Sequence, residues 1–359
     1  MRILITGVCG FAGSVLAESL LARREGLKIA GIDNLMRPGS ELNRMRLRAL
    51  GVDVVHGDLR CASDCEALPP ADWVIDAAAN PSVLAGVRAG AGGAAGSRQL
   101  FEHNLASLVN VLEYARQHRA GLILISSSRV YSIAELASLP LRAAANSYQL
   151  DDSRPLPGGV SARGLDVDFS TEPPVSLYGS MKLAAETVAL EYGAAFDFPV
   201  WIDRCGVLAG AGQFGGAEQG IFSYWIHAHL RRRPLRYMGF DGAGKQVRDA
   251  FHPRDLAALL DTQMATERSG GRRIYNAGGG SRNAMSLAQL TAWCDSRFGG
   301  HAPTADLRER PYDVPWVVMD SRRAEDDFGW GVETPLPDLL EEIACHAERH
   351  PEWLERSGV

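Results

Sequence analysis

Three glycines, at positions 7, 10 and 13, stand between an apolar strand and an apolar-periodic helix. The strand reads Arg2-Ile-Leu-Ile-Thr6, the turn Gly7-Val8-Cys9-Gly10-Phe11-Ala12-Gly13, and the helix is predicted over Ser14 to Ala22. Glycines in such a turn let the backbone approach a pyrophosphate, and the helix N-terminus supplies N–H donors to its oxygens. Gly7, Gly10, Phe11, Ala12 and Gly13 are therefore candidate dinucleotide-binding residues. Asp33, twenty residues past Gly13, closes the second strand, where a carboxylate can accept from ribose hydroxyls and repel a 2'-phosphate. The expected cofactor is NAD; Arg37 complicates that preference without reversing it.

Further strands are predicted at Lys28 to Ile32, Asp53 to His56, Trp73 to Ala77, Leu122 to Ser126 and Pro199 to Ile202, with helical patterns such as Leu100 to Arg119 between them. Parallel neighbours need crossover connections, so the alternation predicts an α/β fold, a Rossmann-type doubly wound parallel sheet. Asp58 and Leu59, after the third strand, are placed beside the adenine, and Ala77, Ala78 and Ala79 end the fourth strand with side chains small enough to admit the cofactor. Past Arg204 the pattern is patchier, ending in a helix over Leu336 to His346. The expected division is a Rossmann domain over 1-203 and a smaller C-terminal substrate-binding lobe over 204-359, with 250-278 returning to the first. The tract Ala85 to Ser97 and the stretch Ser132 to Ser176 are read as loops over the sheet.

The 359 residues carry a net charge of -6, which argues against a general grip on nucleic acid. Apolar runs are strand-length, far short of the roughly 20 residues a membrane span needs. A strand starting one residue after Met1 leaves no room for a leader. Six cysteines at 9, 61, 65, 205, 294 and 345 form no CxxC pair and no zinc spacing. The expectation is a cytoplasmic protein with reduced thiols and no metal, and Arg231-Arg232-Arg233 is read as a solvated helix end.

Tyr178-Gly-Ser-Met-Lys182 opens a helix, and Ser126-Ser127-Ser128 ends an earlier strand. Side chains four apart share a helical face, so the ammonium can stabilise the phenolate and let Tyr178 act as a base, with a serine hydroxyl sharing the substrate proton. Of 37 cationic residues only Lys28, Lys182 and Lys245 are lysine, so Lys182 is retained against a strong arginine bias.

On these motifs the chain resembles the extended short-chain dehydrogenases/reductases, the nucleotide-sugar epimerase and dehydratase group, over nearly its whole length. The resemblance implies tightly held NAD, a sugar-nucleotide lobe and transient oxidation of a sugar hydroxyl. It implies Ser127, Tyr178 and Lys182 as catalytic residues, Lys182 also binding the nicotinamide ribose, and Asn104 beside the cofactor. Dehydratases and decarboxylases of the group carry an acid just after the catalytic Ser/Thr; here the stretch is Ser127-Ser128-Arg129-Val130-Tyr131. That basic residue is similar to the CDP-paratose 2-epimerase branch.

Asp33-Asn34-Leu35-Met36-Arg37, Gln213-Phe214 with Gln219-Gly220, and Gly244-Lys245-Gln246-Val247-Arg248-Asp249 resemble the same branch. Arg310-Pro-Tyr-Asp313 resembles the group's Arg-x-Gly-Asp, which implies Arg310 at the diphosphate and Asp313 at the nucleotide ribose; a salt bridge is the alternative for Arg248 or Arg310. Implied substrate residues are thus Ser128, Arg129, Gln213, Phe214, Gln246, Arg248, Arg310 and Asp313, and the implied partner is a nucleotide sugar, a CDP-hexose favoured. Departures are Ser132 in place of the family's glycine, a long Ser127-to-Tyr178 interval, and the small-residue tract near position 90. Alternatives are epimerisation at carbon 4 of a UDP-sugar, a net NAD(P)-dependent reductase or dehydrogenase, and a non-catalytic NAD-binding protein, which would be expected to have lost Ser127, Tyr178 or Lys182. The resemblance also implies a homodimer or homotetramer, built on the helices Leu100 to Arg119 and Tyr178 to Tyr192.

Overall fold

The computed structural model describes residues 1–85, 96–266 and 271–358. Seven strands form one parallel sheet: β1 (Arg2–Thr6), β2 (Lys28–Asp33), β3 (Asp53–His56), β4 (Trp73–Asp76), β5 (Gly121–Ser127), β6 (Val200–Cys205) and β7 (Ile274–Ala277). Their order is β7-β6-β5-β4-β1-β2-β3, the expected doubly wound sheet. Winding reverses between β1 and β4, and a crevice opens there at the carboxyl ends of the strands.

Both faces of the sheet are covered, which is why its strands read as apolar runs. Along β5, Ile123 and Ile125 join one core with Leu16 and Leu20 of α1 (Phe11–Arg23), while Leu122 and Leu124 join another with Leu112 of α2 (Ser107–His118) and Ala185 of α3 (Ser176–Phe196). The first core is completed by later residues: Leu256, Leu259 and Leu260 of α4 (Pro253–Ala265), Tyr275 of β7, and Ala324 and Trp330. A separate core surrounds Trp225, Ile226, Leu290, Leu339 and Ile343. Beside it, Val207–Leu208, Val247–Phe251, Ala284–Ser286 and Trp316–Val317 make a four-stranded sheet that begins just beyond the end of β6.

The stretch Ser132 to Ser176 differs from the expected loop. It holds the helix Ile133–Ala137 and two small hairpins, Leu141–Ala143 with Tyr148–Leu150 and Val160–Ser161 with Gly164–Leu165. Strands of two or three residues leave no period in a sequence, and tertiary contacts hold the first hairpin: Lys245 Nζ donates to the Ala144 carbonyl at 2.9 Å and Tyr148 N to the Lys245 carbonyl at 3.0 Å. Of the tract Ala85 to Ser97, residues 86–95 lie outside the described residues; Ala85 is buried and Gly96–Phe101 is helical. The predicted helix from Leu100 is interrupted by a π turn at Glu102–Ala106 before α2 begins. Arg232 is not simply solvated: it donates to the carbonyls of Phe298, Gly299 and Gly300. Among the described residues no helix is long and apolar enough to cross a membrane.

Candidate active site

A cavity of about 630 Å³ occupies the crevice. Its floor is the glycine turn. Gly7 has φ +62, and a Cβ there would come 2.9 Å from the Ala78 Cα; one on Gly13 would come 2.3 Å from the Gly7 carbonyl oxygen. Gly10 N donates to that same oxygen at 3.0 Å. No side chain caps α1, so the N–H groups of its first turn, at Phe11, Ala12 and Gly13 on the cavity wall, are left to a ligand.

Asp33 ties this turn to β2: its Oδ2 accepts from Cys9 N at 2.9 Å and its Oδ1 from Leu35 N at 2.8 Å. Burial pushes its carboxyl above the ordinary range, and these N–H groups oppose the shift. Asn34 donates to Asp58 at 3.3 Å, and the Arg60 guanidinium holds the Asp58 carboxyl well below its ordinary value. Asn34, Asp58 and Leu59 all line the cavity, as do Ala77, Ala78 and Ala79. The alanines are set by Thr6, which sequence reasoning missed: its Oγ1 donates to Asp76 at 2.5 Å and accepts from the N–H of Ala77 and of Ala78 at 3.1 Å. Asn104 does not reach the wall. It is buried, and its amide grips the backbone of Asn80, accepting from N at 2.7 Å and donating to O at 2.9 Å; Asn80 is the residue on the wall. Arg37 lines the cavity with its guanidinium engaged by Gln219 and the Phe214 carbonyl.

Ser127, Ser128 and Arg129 reach the same cavity from the end of β5, and Tyr178 and Lys182 from the first turns of α3. The approach is close because of Gly179, where a Cβ would come 2.3 Å from the Arg129 carbonyl oxygen. Lys182 Nζ donates to the Ile125 carbonyl at 2.9 Å, and Ser127 Oγ accepts from Arg129 N at 3.1 Å. Behind them lies a buried network absent from the sequence reading. Glu186 and Arg204 pair at 2.7 Å, Ser126 donates to Glu186, and the Arg204 guanidinium sits 5.3 Å from the centre of the Tyr131 ring. The available signal was spacing: Tyr178, Lys182 and Glu186 are four apart on one helical face.

A second cavity of about 480 Å³ shares Arg129, Gln219 and Gly220 with the first and is lined by Gln246, Arg248, Arg310 and Asp313. Arg248 is paired with Asp313 at 3.1 Å, and Gln246 donates to the same carboxylate at 3.4 Å. Arg129 donates to the Tyr312 carbonyl at 3.2 Å, while the Arg310 guanidinium makes no hydrogen bond or ion pair among the described residues. Four arginines, Arg129, Arg236, Arg248 and Arg310, thus share this lining with two carboxylates, Glu218 and Asp313. Burial, then the neighbouring charge of Arg248, pushes Arg129 down to about 10, a cost that a bound anion would relieve. Phe222, Tyr224 and Trp225 add aromatic surface to the lining.

Gln213 and Phe214 border the first cavity, not the second, and serve to hold their loop: Gln213 Nε2 donates to the Leu208 carbonyl at 2.8 Å, and Phe214 stacks on Trp353 at 5.3 Å. Lys245 lines neither cavity.

Residues 3–278 match the sequence profile of the NAD dependent epimerase/dehydratase family. The chain belongs to that family. It is accordingly an NAD-dependent enzyme of the extended short-chain dehydrogenase/reductase type. The CDP-paratose 2-epimerase of Salmonella typhi is 27% identical over 346 residues, 96% of this chain and 98% of that protein. The UDP-glucose 4-epimerase of Azospirillum brasilense is 26% identical over 367 residues, 99% and 93% of the two chains. The fold is shared with the UDP-glucuronic acid 4-epimerase from Bacillus cereus, solved with UDP-glucuronic acid and NAD, at a TM-score of 0.75 and 21% identity over 97% of this chain and 99% of that one.

The residues present fit NAD. Gly7, Gly10 and Gly13 line the cavity floor without a side chain, the uncapped start of α1 offers donors, and Asp33 stands at the end of β2.

Proposed function

We propose that this family member is a nucleotide-sugar epimerase that inverts carbon 2 of a CDP-hexose. The observation that carries the reading is Arg129. It follows the strand-end serines, lines both cavities, and puts a guanidinium where an eliminating or decarboxylating enzyme of the group would need an acid. The similarity to a CDP-paratose 2-epimerase over 96% of the chain supports the choice of carbon and base.

In this reading Arg129, Arg248 and Arg310 hold the diphosphate, which suits planar guanidinium forks, and so place the sugar ring beside Tyr178. Tyr178 takes the proton of the sugar hydroxyl while Lys182 stabilises the phenolate and Ser127 shares the hydroxyl hydrogen bond. NAD held by the Gly7–Gly13 turn and Asp33 would supply the hydride acceptor and donor for that carbon. Tyr178 gives the proton back once the keto sugar has presented its other face, so the protein ends each turnover in its starting state.

A second reading is supported by the UDP-glucose 4-epimerase similarity, which spans 99% of the chain at 26% identity: inversion at carbon 4 of a UDP-sugar by the same residues. Incubation with CDP-, UDP- and GDP-hexoses, followed by NMR of the products, separates the two. Inversion at carbon 2 of a CDP-hexose is expected; inversion only at carbon 4 of a UDP-hexose would overturn the leading reading. We read the assembly as a homodimer formed by α2 and α3, on which Val109, Leu177 and Phe196 are large exposed apolar side chains. Sedimentation of the purified protein tests this, with a monomer contradicting it.

A further inference from the structure

Arg37 lies four residues past Asp33, on the wall of the cofactor cavity, and forms no salt bridge among the described residues. Its guanidinium is nonetheless fully directed. Nη1 donates to Gln219 Oε1 at 3.0 Å and Nη2 donates to the Phe214 carbonyl. Both acceptors belong to one loop, whose Gln219 and Gly220 border both cavities.

That loop is held as a unit. Gly212 and Gly220 bracket it with φ +75 and +66, backbone that glycine adopts without strain, and Gly216 N donates to the Gln219 carbonyl at 2.6 Å. The C-terminal turn backs it from the other side: Trp353 Nε1 donates to the Gln213 carbonyl at 2.9 Å, and its ring lies nearly parallel to that of Phe214, at 16°. Gly39 brings the Arg37 segment against the same ring, for a Cβ there would come 2.6 Å from Phe214 Cε1. Three segments distant in sequence thus meet at the Asp33 end of the cavity, and Arg37 is the side chain that joins the first to the second.

We propose that Arg37 is a positioning residue that fastens the substrate loop over the adenosine end of the cofactor cavity, so that NAD is retained between turnovers. The proposal rests on NAD occupying this cavity and is indifferent to the sugar. It gives Arg37 a use other than a 2'-phosphate. A phosphate that recruited the guanidinium would take it from Gln219 and Phe214 and release the loop, so discrimination against NADP comes from the clasp as well as from the Asp33 carboxylate.

The test is exchange of bound NAD for radiolabelled NAD, with no sugar present, in the wild type, Arg37→Ala, Gln219→Ala and the double variant. A guanidinium hydrogen bond contributes enough that each single variant should exchange about tenfold faster than the wild type. The double variant should be little faster than Arg37→Ala, because both substitutions break the same contact. Excess NAD should restore turnover in Arg37→Ala, giving a raised KM for NAD with kcat nearly kept. Wild-type exchange in both single variants would overturn the proposal. So would fast exchange in Arg37→Ala with hydrogen-exchange protection across residues 212–220 unchanged from the wild type, since the loop would then still be fastened and Arg37 would act on the cofactor directly. Should Arg37→Ala fail to fold, Gln219→Ala, altered on a surface loop, decides alone. The exchange measurement uses no sugar, so a wrong substrate assignment leaves it intact; only the turnover readout depends on the accepted nucleotide sugar.

Discussion

The Lys182 ammonium donates to the Ile125 carbonyl at 2.9 Å, two residues before Ser127 on the same strand. The lysine is 4% exposed, and its stem leaves the helix that carries Tyr178. One contact therefore fixes the helix against the strand end and leaves two N–H donors for the cavity. A guanidinium cannot replace this compact charge in the same space. Lys182→Arg and Lys182→Met are both expected to lower kcat by at least about 100-fold. Steady-state assay on the accepted nucleotide sugar checks it, and a Lys182→Met variant with near-normal kcat would contradict it.

Behind the serines, Glu186 and Arg204 are nearly inaccessible, with side-chain exposures of 4% and 7%. Removing one charge leaves the other buried and unpaired, which costs about 3–5 kcal/mol, whereas removing both can recover much of that. Urea unfolding should find Glu186→Gln strongly destabilised and Glu186→Gln/Arg204→Met closer to the wild type. Additive losses would mean that the two residues do not act as a pair.

A methyl group on Gly13 would sit 2.3 Å from the Gly7 carbonyl oxygen, so Gly13→Ala has to separate α1 from the turn. Overpacking of this kind costs about 1–3 kcal/mol. The variant should fold with a lowered Tm and release no NAD on denaturation. Retention at the wild-type level would mean that the turn does not hold the cofactor.

Asp203 is fully buried on β6; Oδ1 accepts from Gln263 Nε2 at 2.8 Å and Oδ2 has no partner among the described residues. Burial pushes its carboxyl up to about 7 from an ordinary 3.8. The folded state therefore favours the proton. That contribution is present below the unfolded value, and it is lost as pH rises through the folded one. Asp203→Asn, which keeps the neutral shape, should be more stable than the wild type at pH 8 by about 4 kcal/mol, with the gap closing toward pH 4. A gap that widens on acidification would reverse the sign of the argument.

The parts of this molecule that repeat were legible in its sequence. Alternating buried strands and helices give the parallel sheet, and the glycine spacing gives the turn before α1, because both leave a period or a residue type that nothing else explains. Contacts between distant side chains left weaker traces. Asn104 holds Asn80 instead of meeting the cavity, and Arg37 reaches a loop about 180 residues away. Arg248 and Asp313, read separately as ligands, are partners of each other. Short hairpins between Ser132 and Ser176 have too few residues to show alternation, and Thr6 reads as an ordinary strand residue until Ala77 and Ala78 are placed beside it.

The central claim is hydride removal and return at one carbon. The most direct measurement is incubation of the purified enzyme with a CDP-hexose in deuterium oxide, followed by NMR of the product and by identification of the nucleotides released on denaturation. The account predicts inversion at carbon 2, no solvent deuterium on that carbon, and bound NAD that is not consumed. Deuterium at carbon 2, or stoichiometric consumption of an added NAD(P) cofactor, would contradict it.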